Sequence, residues 1–204
     1  MRRASGLTQA AWVPEVDELD WDEASALAIQ WVEERCAAEG ASALVVTTTV
    51  DALGLGLLSD FAARHGHATR RSVRGRPGGP VLAYCVQLED LEHAQRLAQG
   101  SSLAAVEGFS LPLAGWAAVA GAENLFTGER ANCSDEVAGV VDELAFHGNN
   151  AFGDSYGKSR AAQTLAKTSL WSVAQRAALP GAVLAAGVSA RGAKNLAALI
   201  ERST

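Results

Sequence analysis

The sequence predicts an α/β fold, a small and mainly parallel sheet with flanking helices, followed by a helical C-terminal region. Three observations carry this. Strand-like and helix-like segments alternate over the first half of the chain. The strand-like runs are apolar without interruption, as strands covered on both faces must be. Beyond Glu107 the periodic segments are all helical. The corresponding division is an N-terminal arm over 1–19, a sheet domain over 20–130 and a helical region over 131–204.

The elements follow in order. Asp20 with Glu23 three residues on makes a capping-box start for a helix that carries Leu27, Ile29, Trp31, Val32 and Cys36 and stops near Gly40. Ala43-Leu-Val-Val-Thr-Thr-Thr-Val50 is a β-branched, buried strand. Asp51 caps a helix through Leu53, Leu57, Leu58 and Phe61 to Gly66. His67 to Val73 is a polar strand, and Arg74-Gly-Arg-Pro-Gly-Gly79 is a turn. Pro80 to Val86 is again a buried strand. A helix from Leu88 to Leu97 ends before Gly100, and Ser102 to Val106 is a short apolar strand. Helices then cover Leu113 to Ala122, Ser134 to Phe146, Gly157 to Ala178, Pro180 to Ala186 and Ala190 to Arg202. In topology alone, a sheet followed by helices is loosely similar to a RecA-like helicase lobe, and topology does not license a function.

At 204 residues, 49% of them hydrophobic and 20% charged, the chain can bury a sizeable core, which argues against wholesale disorder. Gly108 to Ala122 is too short and too interrupted to span a bilayer, so no membrane partner is expected. The Met1-Arg2-Arg3 start leads into no apolar core of a secretory signal. Cys36, Cys85 and Cys133 lie far apart and read as reduced, buried thiols of a cytoplasmic protein. The heavy use of Ala, Gly, Val and Arg fits a GC-rich bacterial genome. No cofactor or metal is implied: His65-Gly-His67 has no nearby Cys or acid to complete a site, and no glycine-rich turn follows the first buried strand.

Charge is distributed unevenly. The net charge is −6, and between Glu15 and Glu39 nine carboxylates face the single base Arg35. Ser155 to Ile200 contains no acid but carries Lys158, Arg160, Lys167, Arg176, Arg191 and Lys194. A second acid-free run, Phe61 to Leu88, contains Arg64, Arg70, Arg71, Arg74 and Arg76. Basic stretches on an acidic chain favour an anionic partner, and arginine grips phosphate with a planar fork of donors. Equally, these arginines could pair with the acidic N-terminal helix.

Pro180 to Leu196 holds the most specific local pattern. Pro180 can open a helix, Gly187 can end it at positive φ, Val188 can be buried under the turn and Ser189 can cap the next helix. The Ala186-Gly-Val-Ser189 turn resembles that of repressor-type helix-turn-helix proteins. The resemblance implies that Ala190 to Arg202 is a recognition helix, with Arg191, Lys194 and Asn195 near phosphates or base edges. Gly192 and Val183 depart from the pattern, which favours a helix former and a small residue at those places.

Two other functions are open. His147-Gly-Asn-Asn-Ala-Phe-Gly-Asp-Ser-Tyr-Gly-Lys158 could build an active site, with His147 as general base, Asp154 orienting it or binding a metal, Tyr156 donating a proton and Lys158 stabilising negative charge. Its Gly153 to Ser159 segment resembles a Walker A phosphate loop one residue short, without the preceding strand. Asn and Gly there also suit an ordinary inter-helix loop. The hydroxyls of Thr47 to Thr49, with Asp51, stand at a strand end where α/β proteins take ligands. Finally, the apolar Leu113 to Ala122 helix offers a surface for a protein partner or for self-association.

Overall fold

A computed structural model of the protein describes residues 6–202. Met1 to Ser5, with the Met1-Arg2-Arg3 start, and the final Ser203 and Thr204 of the helical region lie outside the described residues. The described chain forms two compact units. One comprises residues 6–111 and 122–130, the other residues 112–121 and 131–202.

The first unit is the α/β layer. Its strands are β1 (Gln9–Val13), β2 (Leu44–Val46), β3 (Gly66–Thr69), β4 (Ser72–Gly75), β5 (Val81–Tyr84), β6 (Ser102–Val106) and β7 (Glu123–Asn124). They lie in the order β4-β3-β2-β5-β6-β1-β7, all parallel except β4, which runs antiparallel to β3. The helices are α1 (Trp21–Glu39), α2 (Leu57–His65) and α3 (Leu88–Leu97). Successive strand residues point to opposite faces. Ala11, Val13, Val45, Leu82, Ala104 and Val106 join one core with Ala28, Ile29 and Val32 of α1 and with Leu58 and Phe61 of α2. Leu44, Val46, Val81, Ala83 and Leu103 alternate with them and are also buried, and α3 packs on β5.

The expected capping box is present. Glu23 N donates to Asp20 Oδ1 at 2.8 Å, Asp20 N donates to Glu23 Oε2 at 3.2 Å, and Gly40 ends α1 at φ 64°. Other expectations need correction. Within the 1–19 arm, Gln9–Val13 is a sheet strand paired along its whole length with Ser102–Val106. The β2 strand ends at Val46, and Val50–Leu53 is a short 3-10 turn; α2 begins only at Leu57, because Gly54 and Gly56 take positive φ. The polar segment from His67 is two strands, β3 and β4, turning at Arg70-Arg71, and the turn expected over Arg74–Gly79 is confined to bends at Pro77–Gly79, since Arg74 and Gly75 belong to β4. The three cysteines are half-buried rather than buried.

The second unit is helical: α4 (Ala114–Ala120), α5 (Asp135–His147), α6 (Ser155–Ala166), α7 (Val173–Ala177), α8 (Leu179–Ala185) and α9 (Ala190–Arg202). Residues 112–121 thus belong with the C-terminal helices, not with the sheet. The single helix expected over Gly157 to Ala178 is broken after Ala166, where Thr168 Oγ1 donates to Leu165 O and Ser172 caps a new start with Gln175. The α4 helix turns Trp116, Ala117 and Val119 into its own unit's core against α8, so its apolar side is spent there. That contact needs glycine: a Cβ on Gly115 would stand 2.0 Å from Ala178 O, whereas one on Gly181 would stand 3.3 Å from Pro112 O. Gly115→Ala is therefore expected to destabilise the protein by about 2 kcal/mol in urea melts. Gly181→Ala is expected to change stability by less than about 1 kcal/mol, since the gain in helix propensity offsets a tight contact.

Candidate functional site

The β3–β4 hairpin forms the outer edge of the sheet and carries most of the second basic run. His67 pairs with Arg74, Ala68 with Val73 and Thr69 with Ser72. The turn is held from within, as Thr69 Oγ1 accepts from Arg71 N at 3.3 Å. Arg71, Arg74 and Arg76 are exposed, and no ion pair among the described residues engages them. Arg70 behaves differently. Its Nε lies 2.8 Å from Oδ1 of Asp90, a carboxylate with no solvent exposure. Thr48 Oγ1 donates to the other oxygen at 3.0 Å, and Gln87 N approaches it at 3.4 Å. Arg70, expected among the polyanion contacts, is thus committed to the fold. The expected pairing with the N-terminal helix is limited to Arg64, whose guanidinium meets Glu33 at 3.0 Å.

Neighbouring β2 and β5 send their connections in opposite directions, which makes their carboxyl ends a switch point of the kind that commonly takes ligands. Here the polar groups are internally engaged. Thr47 Oγ1 donates to Thr49 O at 2.6 Å and so accepts from Nε2 of buried His67 at 2.7 Å. Thr48 is bound to Asp90, and Asp51 is an exposed residue of the 3-10 turn. Cys85, at the end of β5, has φ 47°, and its thiol is pushed up to about 11, chiefly by burial and then by Glu15. Such a thiol is not a ready nucleophile at neutral pH. An open groove of about 490 Å³ lies between α2 and the hairpin, with Arg64, His65, His67 and Arg74 in its lining and no carboxylate.

In the helical unit the turn between α8 and α9 has the expected conformation. Gly187 sits at φ 100°, Val188 is buried, and Ser189 Oγ accepts from Gly192 N at 3.3 Å. Gly192, a departure from the helix-turn-helix pattern, has a local cause: a Cβ there would lie 2.6 Å from Val188 Cγ1 and 3.2 Å from Ala151 Cα. Arg191 and Lys194 are exposed on α9, while the Asn195 amide donates to Ala151 O at 2.7 Å and helps to hold the preceding loop. Asn195 is therefore a structural residue first.

The His147 to Lys158 segment does not converge. Asp154 caps α6, accepting from Gly157 N at 2.6 Å and Asn150 Nδ2 at 3.2 Å; the Gly157 and Asn150 hydrogen bonds lower its carboxyl below the ordinary value. Its carboxylate thus occupies the helix start where the Walker-like spacing would need a phosphate, and Gly157 and Lys158 lie in the helix, not in a loop. The His147 and Tyr156 rings meet edge-on at 6.1 Å, Tyr156 OH accepts from Arg160 Nε at 3.3 Å, and Tyr156 and Lys158 are exposed. Among the described residues no group of three or more His, Cys, Asp or Glu is placed to hold a metal ion.

No family model, curated protein or solved structure matches this chain. Its chemistry has to be weighed on charge and geometry. Residues 112–121 and 131–202 carry seven Lys and Arg against six Asp and Glu, while residues 6–111 and 122–130 carry eight against seventeen. The hairpin is a local positive patch on a strongly acidic unit. No helix among the described residues is long and apolar enough to cross a membrane.

Two outcomes follow from these contacts. Arg70→Ala leaves the Asp90 carboxylate buried without its cation, whereas Asp90→Ala frees a half-exposed arginine to water. Arg70→Ala is expected to cost about 3 kcal/mol and Asp90→Ala less, as measured in denaturant melts. His65, His67 and His93 are held below the ordinary imidazole value of 6.5, in each case chiefly by burial. The folded state then favours the neutral rings, so unfolded chains take up protons first as pH falls through 6.5. Thermal stability is expected to drop from pH 7.5 to pH 5.5, and His67→Gln to flatten that drop.

Proposed function

We propose that the protein binds nucleic acid or a related polyanion, with the β3–β4 hairpin as its contact in the α/β unit. The observation that carries this reading is the exposure of Arg71 and Arg74 on the edge hairpin and of Arg76 directly after it, with no ion pair among the described residues. Charged edge strands also discourage edge-to-edge pairing. Three arginines on or directly after so short a ribbon exceed that need and suit phosphate oxygens, which guanidinium groups bind in bidentate fashion. Exposed Lys158 and Arg160 on α6, and Arg191 and Lys194 on α9, support a second contact in the helical unit. The α8–α9 turn supports that contact through its helix-turn-helix-like conformation, although Asn195 is engaged with Ala151.

The test is a salt titration of oligonucleotide binding by fluorescence anisotropy. Each lost phosphate contact lowers the slope of log K against log salt by about 0.7–0.9. Replacing both Arg71 and Arg76 by Ala is expected to weaken binding and reduce that slope by roughly 1.5. Retention of the full slope in this variant would exclude the hairpin as the contact.

A further inference from the structure

We propose that the groove between α2 and the β3–β4 hairpin takes one unpaired nucleotide, so that the preferred partner is single-stranded nucleic acid. This deepens the polyanion reading and rests on it. The groove has the composition that a nucleotide needs. Its apolar wall is Val50, Leu53 and Ala63, which offers a surface to the face of a base. Arg64 and Arg74 supply guanidinium groups for a phosphate, and no Asp or Glu is in the lining. The imidazole of His67 is buried and fixed by Thr47, so this part of the site is ordered before a ligand arrives. At about 490 Å³ the space lies within the range of small-ligand sites. A base stacked and paired inside a duplex presents no free face to such a wall, whereas single strands are bound by splaying bases onto protein surfaces while cations track the backbone. Arg71 and Arg76, outside the groove lining, then serve the flanking phosphates of either form.

One residue opposes the ligand. Glu33 of α1 holds Arg64 at 3.0 Å and places a negative charge beside the cation that the phosphate would use. Both partners are substantially exposed, so the pair is held weakly and can open. Glu33→Gln should therefore tighten the single strand more than the duplex, whereas a general loss of negative charge would favour both alike.

The experiment measures anisotropy of a labelled twelve-nucleotide oligothymidylate and of the matching thymidylate–adenylate duplex, on the full chain at low salt. Ala63→Leu, which fills the groove from an exposed helix position, is expected to weaken the single strand about fivefold or more. It should leave the duplex within about twofold, and Glu33→Gln should tighten the single strand about two- to threefold. Circular dichroism melts establish that each variant is folded. Equal loss of both forms in Ala63→Leu, or no loss in either, overturns the proposal while leaving hairpin binding intact. If the wild type binds neither nucleic acid, the polyanion reading fails by itself. Thymidine monophosphate titrated against the His65 and His67 ring resonances then decides the groove: shifts abolished by Ala63→Leu retain it as a nucleotide site, and their absence removes it.

Discussion

The parallel strands at the centre of the sheet must be covered on both faces, and the polar chemistry of the α/β unit is arranged around that constraint. Leu44 to Val46, Val81 to Ala83 and Leu103 to Val106 are all at most 1% exposed. Their side chains alternate between two dry faces, so neither face can carry a solvated functional group. What remains for polar residues is the strand ends and the sheet edge. At the ends, the hydroxyls of Thr47 and Thr48 and the Asp90 carboxylate satisfy one another and their neighbours. The edge hairpin is where charge is left over.

This arrangement separates two kinds of arginine that stand side by side in the chain. Arg70 compensates a buried carboxylate, and Arg71 projects into solvent. The difference lies in Asp90, twenty positions downstream on α3, and not in anything local to the arginines. The acid-free C-terminal stretch divides in a similar way. Lys167 is held by Glu143 at 2.6 Å and Asn195 by a backbone carbonyl, while Arg191 stays exposed. A run of bases in sequence is thus not yet a basic surface; acids from α5 reach into it from outside the run.

Much of the fold was legible because its signals are local. Continuous apolar runs marked β2, β5 and β6, and Asp20 with Glu23 marked the start of α1 to the residue. The Gly187–Ser189 turn was legible for the same reason. β1 was not, since Gln-Ala-Ala-Trp-Val is short and becomes a strand only by pairing with β6. The hairpin was also missed: its turn residues Arg70 and Arg71 keep negative φ, so no Gly or Asn announces them, and the Thr69 hydroxyl does the work instead. For the candidate site, the sequence identified the arginines but not their fates, because ion pairing with Asp90 or Glu33 is a tertiary fact. The groove beside the hairpin was legible only as the separate cations of the Phe61 to Leu88 run, its shape being assembled from α2 and two strands that the pattern had read as one.

The position of β1 bears on how the chain can reach this structure. Its flanking Thr8 is bonded to Ser102, 94 residues further along, and β1 lies between β6 and β7. At a synthesis rate of about 5–20 residues per second, the first strand to be made waits roughly 5–20 s before its partner exists. Over that interval the residues of α1 have no completed sheet to cover, and Ala28, Ile29 and Val32 are open to solvent or to a chaperone. During synthesis the sheet can therefore be completed around β1 only after both β6 and β7 have been made, whereas the helices need no such wait.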